Sequence, residues 1–273
     1  MKAAILGCGY VGATVAQRWR SQGMSITATT TRPERVPELE SVADRVMVMQ
    51  GSNATAMAEL VREQDVVLMC VGAGRQADYR ETYLNTAKAL VQGLEQAPEV
   101  KQVIFTSTYS VYGDHGGAWV TEADSVKPAT DRHQITAATE ETLLAAGERD
   151  RAICIFRLGG IYGPGRDLAK IYRRAAGTTR PGDGQQASNW IHLHDIVGAI
   201  DFARQRSLRG VYNLVQDEIL PVKALIDRVC QAHGLDPVQW DPSKPSTRPY
   251  NVRVSNQKLK AAGYQFSHPQ FEI

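Results

Sequence analysis

Three glycines near the amino-terminal end, Gly7, Gly9 and Gly12, stand in a G-x-G-x-x-G pattern between an apolar run and an amphipathic stretch. That spacing, in that context, lets a backbone wrap a diphosphate. Gly7 permits the tight turn, Gly9 has no Cβ to hold a pyrophosphate away, and Gly12 lets the helix close on its strand. Tyr10 and Val11 open the helix, where N–H groups and the positive dipole end face an anion. The ligand class this implies is a pyridine dinucleotide. Its second half is read about twenty residues on, at Thr29-Thr30-Thr31-Arg32-Pro33-Glu34-Arg35. An NAD site usually has a carboxylate at this strand end for the ribose hydroxyls, and none is present. Thr30, Arg32 and Arg35 become the candidate contacts, with a guanidinium able to pair bidentately with a 2′-phosphate. NADP is therefore the expected cofactor and NAD the alternative, the arginines otherwise being solvated loop residues. Val71 and Gly72, at the end of the fourth strand, complete the expected cofactor contacts.

Other reactive side chains are less organised. Cys8, Cys70, Cys154 and Cys230 form no C-x-x-C pair and read as reduced thiols of a cytoplasmic protein. His192 and His194 flank a strand end beside Asp195, with no third ligand at sensible spacing, so no metal is expected. Tyr109, Tyr112 and Tyr162 are phenols that, without a neighbouring cation, keep a pKa near ~10 and make poor bases. Ser267 to Glu272 reads like the core of a streptavidin-affinity tag and is given no function.

The elements that must position these groups follow from periodicity. Ala3 to Leu6, Ser25 to Thr29, Arg45 to Met49, Asp65 to Val71, Gln102 to Thr106 and Ala152 to Leu158 read as strands. Val11, Val15 and Trp19 mark one face of a first helix, and Tyr79 to Gln92 and Thr136 to Ala146 read as further helices. The Val-Val-Leu-Met run at 66–69 suits a strand buried on both faces. This alternation predicts an α/β fold, a Rossmann-type doubly wound parallel sheet with helices on both faces. From Gly163 to Gly184 the rhythm loosens. A strand over Val211 to Val215 and helices over Val222 to Ala232 and near Asn256 to Ala262 follow. The expected division is a dinucleotide-binding domain over 1–163 and 186–218, and a small C-terminal substrate lobe over 164–185 and 219–273.

The 273 residues, 43% hydrophobic and 22% charged with a formal net charge of +2, allow a substantial core and give no basic footprint for nucleic acid. No apolar run is long enough to span a bilayer, so neither a membrane nor a nucleic acid is an expected partner.

In this order the residues resemble the extended short-chain dehydrogenase/reductases, also called the NAD-dependent epimerase/dehydratase family. The glycine loop is followed by Asn85, by Phe105 to Gly113 ending in V-Y-G, and by Arg157 to Gly165 ending in Y-G-P-G. Then come Trp190 to Ile196, similar to I-H-V-x-D-I, and Arg248-Pro249 with Ser255 to Gly263. The resemblance implies redox or epimerase chemistry on a small carbonyl or sugar-type substrate, bound at the carboxyl ends of the strands, and the homodimer common among relatives. It places Thr108 at the family's Ser/Thr position, where the hydroxyl bonds a substrate oxygen or simply satisfies backbone groups at a strand end. The family's Tyr-x-x-x-Lys pair is absent from this chain. Anchoring on Glu141 and Leu144 puts His133 at the Tyr position and Ala137 at the Lys position, while sliding by one residue gives Arg132 and Thr136. His133, titrating near neutrality, is the candidate acid–base group, or else a surface histidine. Two readings remain open: an oxidoreductase or epimerase with a non-standard active site, and a non-catalytic NADP(H)-binding sensor or regulatory protein.

Overall fold

A computed structural model describes residues 1–74, 77–147 and 151–273. In chain order its elements begin with β1 (Lys2–Leu6), α1 (Tyr10–Ser21), β2 (Ser25–Thr30), α2 (Val36–Leu39), β3 (Arg45–Val48), α3 (Ala54–Val61), β4 (Val66–Met69) and α4 (Thr86–Leu94). They continue with β5 (Gln102–Thr108), β6 (Trp119–Val120), α5 (Asp131–Ala145), β7 (Ala152–Leu158), β8 (Gly160–Tyr162), α6 (Leu168–Tyr172), β9 (Thr179–Pro181), β10 (Ala187–Ser188) and β11 (Trp190–His192). The last are α7 (Leu193–Arg206), β12 (Gly210–Leu214), β13 (Leu220–Pro221), α8 (Val222–Ala232), β14 (Gln239–Asp241), β15 (Arg253–Val254) and α9 (Gln257–Ala261).

The chain forms two compact units. The first comprises Met1–Thr108, Thr130–Arg157 and Val197–Tyr212. Its sheet runs β12-β7-β5-β4-β1-β2-β3. β1 lies parallel between β2 and β4, Ile5 pairing with Ala28 on one side and Leu68 on the other. The strand order reverses at β1 and β4, and the crevice beyond their carboxyl ends is where open α/β sheets take ligands. All four residues of β4 are buried, as the unbroken apolar run requires.

Helix α1 buries Val15, Ala16 and Trp19. Trp19 is fully buried, and its Nε1 donates to Asp201 Oδ1 at 3.2 Å. Arg18, Gln22, Arg204 and Gln205 donate to the same carboxylate. Burial pushes the Asp201 carboxyl up, but the hydrogen bonds from Gln22, Arg204 and Arg18 outweigh it and hold the group below its usual range.

Two helices differ from the sequence expectation. The stretch read as one helix from Tyr79 contains a π-turn over Glu81–Asn85 before α4 begins, a widening that period counting does not register. Helix α5 starts at Asp131, five residues before Thr136, because the Thr130 side chain accepts from the His133 N–H and caps it.

The second unit comprises Tyr109–Ala129, Leu158–Ile196 and Asn213–Ile273. Residues 109–129, 158–163, 186–196 and 213–218, expected in the dinucleotide domain, thus group here. The unit is built from short two-stranded pairings, β8 with β11, β9 with β14 and β6 with β15 parallel, β10 with β13 antiparallel. One core packs Tyr162, Leu168, Leu225, Ile226, Val229 and Phe271; another packs Tyr109, Tyr112, Val120, Val215, Val252 and Val254. The 267–272 segment is part of this fabric. Ser267 and His268 donate their backbone N–H groups to the fully buried Asp195 carboxylate at 2.7 and 2.8 Å, and Phe271 is buried.

Candidate functional site

The glycine loop joins β1 to α1 in the first unit, at the strand-order reversal. Gly7 has φ +84°, and a Cβ there would lie 2.7 Å from Val71 Cα and 2.9 Å from the Cys70 carbonyl oxygen. Only glycine fits, because both the backbone conformation and the space exclude a side chain. Its N–H donates to Thr29 Oγ1 at 3.0 Å, and the Cys8 N–H donates to the Thr29 carbonyl at 3.0 Å. Gly12 meets Gly7 O at 2.5 Å and Cys70 Sγ at 2.8 Å from a built Cβ, so α1 closes against the loop. Gly9 is the contrasting case: nothing lies within 4 Å of a Cβ built there. Its missing side chain leaves open space, which a tightly packed turn would not need. No side chain among the described residues caps the start of α1, an arrangement that suits an anion at the positive end of the helix. These features fit a dinucleotide diphosphate. Tyr10 and Val11 open α1, and Val71 packs against Gly7 with the exposed Gly72 following it.

The two arginines after β2 divide. Arg35 donates to the Cys8 carbonyl at 2.8 Å and grips Glu38 through Nε and Nη2 at 3.1 and 2.8 Å. It is a brace for the glycine loop. Arg32 is the available cation, its side chain 62% exposed and 4.0 Å from Glu34. Thr30 Oγ1 accepts from the Arg32 N–H at 3.1 Å and so sets the backbone from which that guanidinium extends.

The start of α5 holds the candidate His133, and burial shows which face of the helix turns inward. Glu140 is buried and receives Arg157 Nη2 at 2.7 Å, Arg157 Nε at 3.1 Å and the Ser107 hydroxyl at 2.5 Å. Leu143 is fully buried, whereas Glu141 and Leu144 are exposed. The inward anchor is thus Glu140 with Leu143, one residue before the pair chosen from sequence. The residues one and two turns before that anchor are Thr136 and Arg132. Thr136 is buried, gives its proton to the Arg132 carbonyl at 3.0 Å, and therefore accepts the Tyr79 hydroxyl, also at 3.0 Å. The Arg132 guanidinium lies over the Tyr79 ring, 5.5 Å from its centroid. Tyr79 was not singled out from sequence, since a tyrosine fifty-seven residues from Thr136 carries no spacing signal. His133 follows Arg132 in the helix, half-buried, and burial lowers its imidazole below the ordinary value. Thr108 ends β5, half-buried.

In the second unit, Arg248 donates to the Tyr109 hydroxyl and lies 4.9 Å from the Tyr250 centroid. The cation beside Tyr109, unforeseen from sequence, does not activate it: burial outweighs the guanidinium and raises the phenol. Burial likewise pushes Tyr162 up to about 12. The fold also supplies what local spacing lacked beside His192 and His194, a third imidazole from His268.

Among proteins of known sequence, the chain is similar to Protein YeeZ of Escherichia coli strain K12, 26% identical over 276 residues, covering 98% of this chain and 96% of that one. It is 24% identical over 284 residues to a 3-diazoavenalumate denitrifying reductase of a Streptomyces species, covering 96% and 91%. Among solved structures it is similar to DesIV, a dTDP-glucose 4,6-dehydratase of Streptomyces venezuelae determined with NAD bound. There the TM-score is 0.80 at 19% identity, covering 100% of this chain and 93% of that one. The profile of the NAD dependent epimerase/dehydratase family matches residues 3–214. With its glycine loop, sheet order and this match in agreement, the chain belongs to the NAD-dependent epimerase/dehydratase family.

Proposed function

We propose that the protein is an NADP(H)-binding oxidoreductase or epimerase-like enzyme of the cytoplasm, acting on a small carbonyl or sugar-type substrate. The observation that carries this reading is the glycine loop, closed against the protein at Gly7 and Gly12 and open at Gly9. NAD in the DesIV structure supports the cofactor class, and the reductase among the relatives supports the reaction class. Gly9, Tyr10 and Val11 would face the diphosphate, with Gly7 and Gly12 shaping the turn. Thr30 and Arg32 would serve the adenosine ribose and its 2′-phosphate, with Arg35 bracing the loop, and Val71 and Gly72 would border the cofactor. The exposed guanidinium of Arg32, with no carboxylate at the end of β2, favours NADP over NAD. When bound, the nicotinamide would supply or take the hydride. The Thr108 hydroxyl would hold a substrate oxygen, and the His133 imidazole would accept the proton from that oxygen in the oxidising direction and, as imidazolium, return it in the reducing one.

The second reading, a non-catalytic NADP(H) sensor, is favoured by one observation: the positions two turns and one turn before Glu140 hold Arg132 and Thr136, and Thr136 is occupied with Tyr79. One experiment separates the two. Titration with NADPH and NADH is followed by absorbance of the reduced cofactor in the presence of aldehydes, ketones and sugar nucleotides. Turnover lost in Thr108→Val or His133→Ala supports the enzyme. Binding with no turnover supports the sensor, and absence of any binding overturns both.

A further inference from the structure

Three imidazoles meet in the second unit, and their candidate ligand nitrogens all lie within 4.8 Å of one another. His192 ends β11 and is buried, His194 stands exposed in the first turn of α7, and His268 comes from the carboxy-terminal segment. The His192 and His268 rings stack at 3.7 Å, and His194 stands edge-on to His192 at 4.8 Å. A carboxylate completes the group. Glu272 Oε2 is 3.7 Å from His192 Nε2 and 3.7 Å from His268 Nε2, so both nitrogens lie near one carboxylate oxygen.

We propose that His192, His194 and His268, with Glu272 as fourth donor, form a binding site for a divalent transition-metal ion of the zinc class. Zinc–nitrogen bonds of about 2.0–2.1 Å in a tetrahedron separate neighbouring ligand atoms by roughly 3.4 Å. The two 3.7 Å separations are close to that value, and the 4.8 Å limit leaves a small inward turn for the exposed His194. Three imidazoles and one carboxylate select zinc, cobalt or nickel over magnesium and calcium, which prefer all-oxygen shells.

The support behind the ligands is already built. His268 Nδ1 lies 3.2 Å from the fully buried Asp195 carboxylate. That contact places its proton on Nδ1 and leaves the Nε2 lone pair for a metal, the arrangement in which an outer carboxylate orients a ligand histidine. Asp195 also receives the Ser267 and His268 N–H groups and the Tyr264 hydroxyl, while Glu218 receives the Phe271 N–H at 2.8 Å. The segment bearing His268 and Glu272 is thus held from two sides. At Gly163 a Cβ would stand 3.0 Å from His192 Nε2, so glycine there keeps that nitrogen approachable. One contact must change on loading. The His194 N–H lies 3.3 Å from His192 Nδ1, and a metal on Nε2 moves the ring proton to Nδ1. Nothing in this proposal depends on the nucleotide reading, since every group named belongs to the second unit.

The test uses the full chain without a histidine tag, stripped with a chelator and titrated with zinc by calorimetry and with cobalt by visible absorption. The expected result is one ion per chain, with intense tetrahedral cobalt bands and a higher melting temperature in zinc. His194→Gln, an exposed position whose loss leaves the fold intact, weakens zinc by about tenfold or more, and Glu272→Gln shifts the cobalt spectrum. His268→Gln abolishes binding; if that variant does not fold, His194→Gln decides. His233→Gln, exposed at the end of α8, binds as the parent does. Stoichiometry well below one, or equal zinc affinity in parent and His194→Gln, overturns the proposal.

Discussion

The glycine loop before α1 and the opening turns of α5 both lie in the first unit, and they answer to different kinds of constraint. At the loop, backbone does the work: Gly7 sits at φ +84° against Val71, Gly12 sits against the Gly7 carbonyl, and Gly9 faces open space. In α5, side chains do it, and their identity depends on which way the helix faces. The buried Glu140–Arg157 pair turns α5 so that Thr136 points inward to Tyr79. A backbone-built site persists wherever three glycines are kept. A side-chain site can be rewritten by exchanging two residues, with the helix left in place.

The largest effect that could break this contrast is at Glu140. Removing one partner of a buried ion pair strands the other, so Glu140→Ala should destabilise the protein by about 3–5 kcal/mol. Its exposed neighbour should matter little, with Glu141→Ala within about 0.5 kcal/mol. Urea unfolding of both variants checks the register, and equal losses would reverse it. Next comes Gly7→Ala, where the left-handed backbone alone costs about 1–3 kcal/mol. Gly9→Ala, with φ −88° and no neighbour, should melt like the parent yet bind NADPH about tenfold more weakly. If both glycine variants lose stability alike, the open face at Gly9 has been misread. Arg32→Ala should weaken NADPH by about 10–100-fold, the value of one charge-assisted contact of about 1.5–3 kcal/mol, and leave NADH unchanged.

The smallest effect is at His133. Its imidazole is harder to protonate folded than unfolded, because burial disfavours the charged form. As pH falls through the ordinary histidine range near ~6.5, the unfolded chain takes the proton first and the fold loses stability; above that range it loses none. Melting curves from pH 8 to pH 5 should therefore fall slightly less steeply in His133→Gln than in the parent.

Much of the first unit was legible because its signals are local. The Val15 and Trp19 spacing named the buried face of α1, and the run at 66–69 named a strand covered on both sides. The eleven residues Val222 to Ala232 form α8 as read. What stayed hidden depends on distant partners. The register of α5 is fixed by Arg157 and Ser107, neither of which is in the helix. The commitment of Arg35 to the Cys8 carbonyl needs β1 and β2 side by side before it can be seen. The second unit was the least readable, since strands of two or three residues are too short to show a period. His268 reaches His192 across seventy-five intervening residues.

The thiols at the glycine loop have a consequence for the protein's chemical endurance. Cys70 Sγ donates to the Gly7 carbonyl at 3.1 Å, and burial raises that thiol and pushes Cys8 up to about 11. Thiolate is the form that peroxide and alkylating reagents attack, and at neutral pH almost none exists here. Both sulfur atoms at the base of the loop are therefore held in the less reactive protonated form.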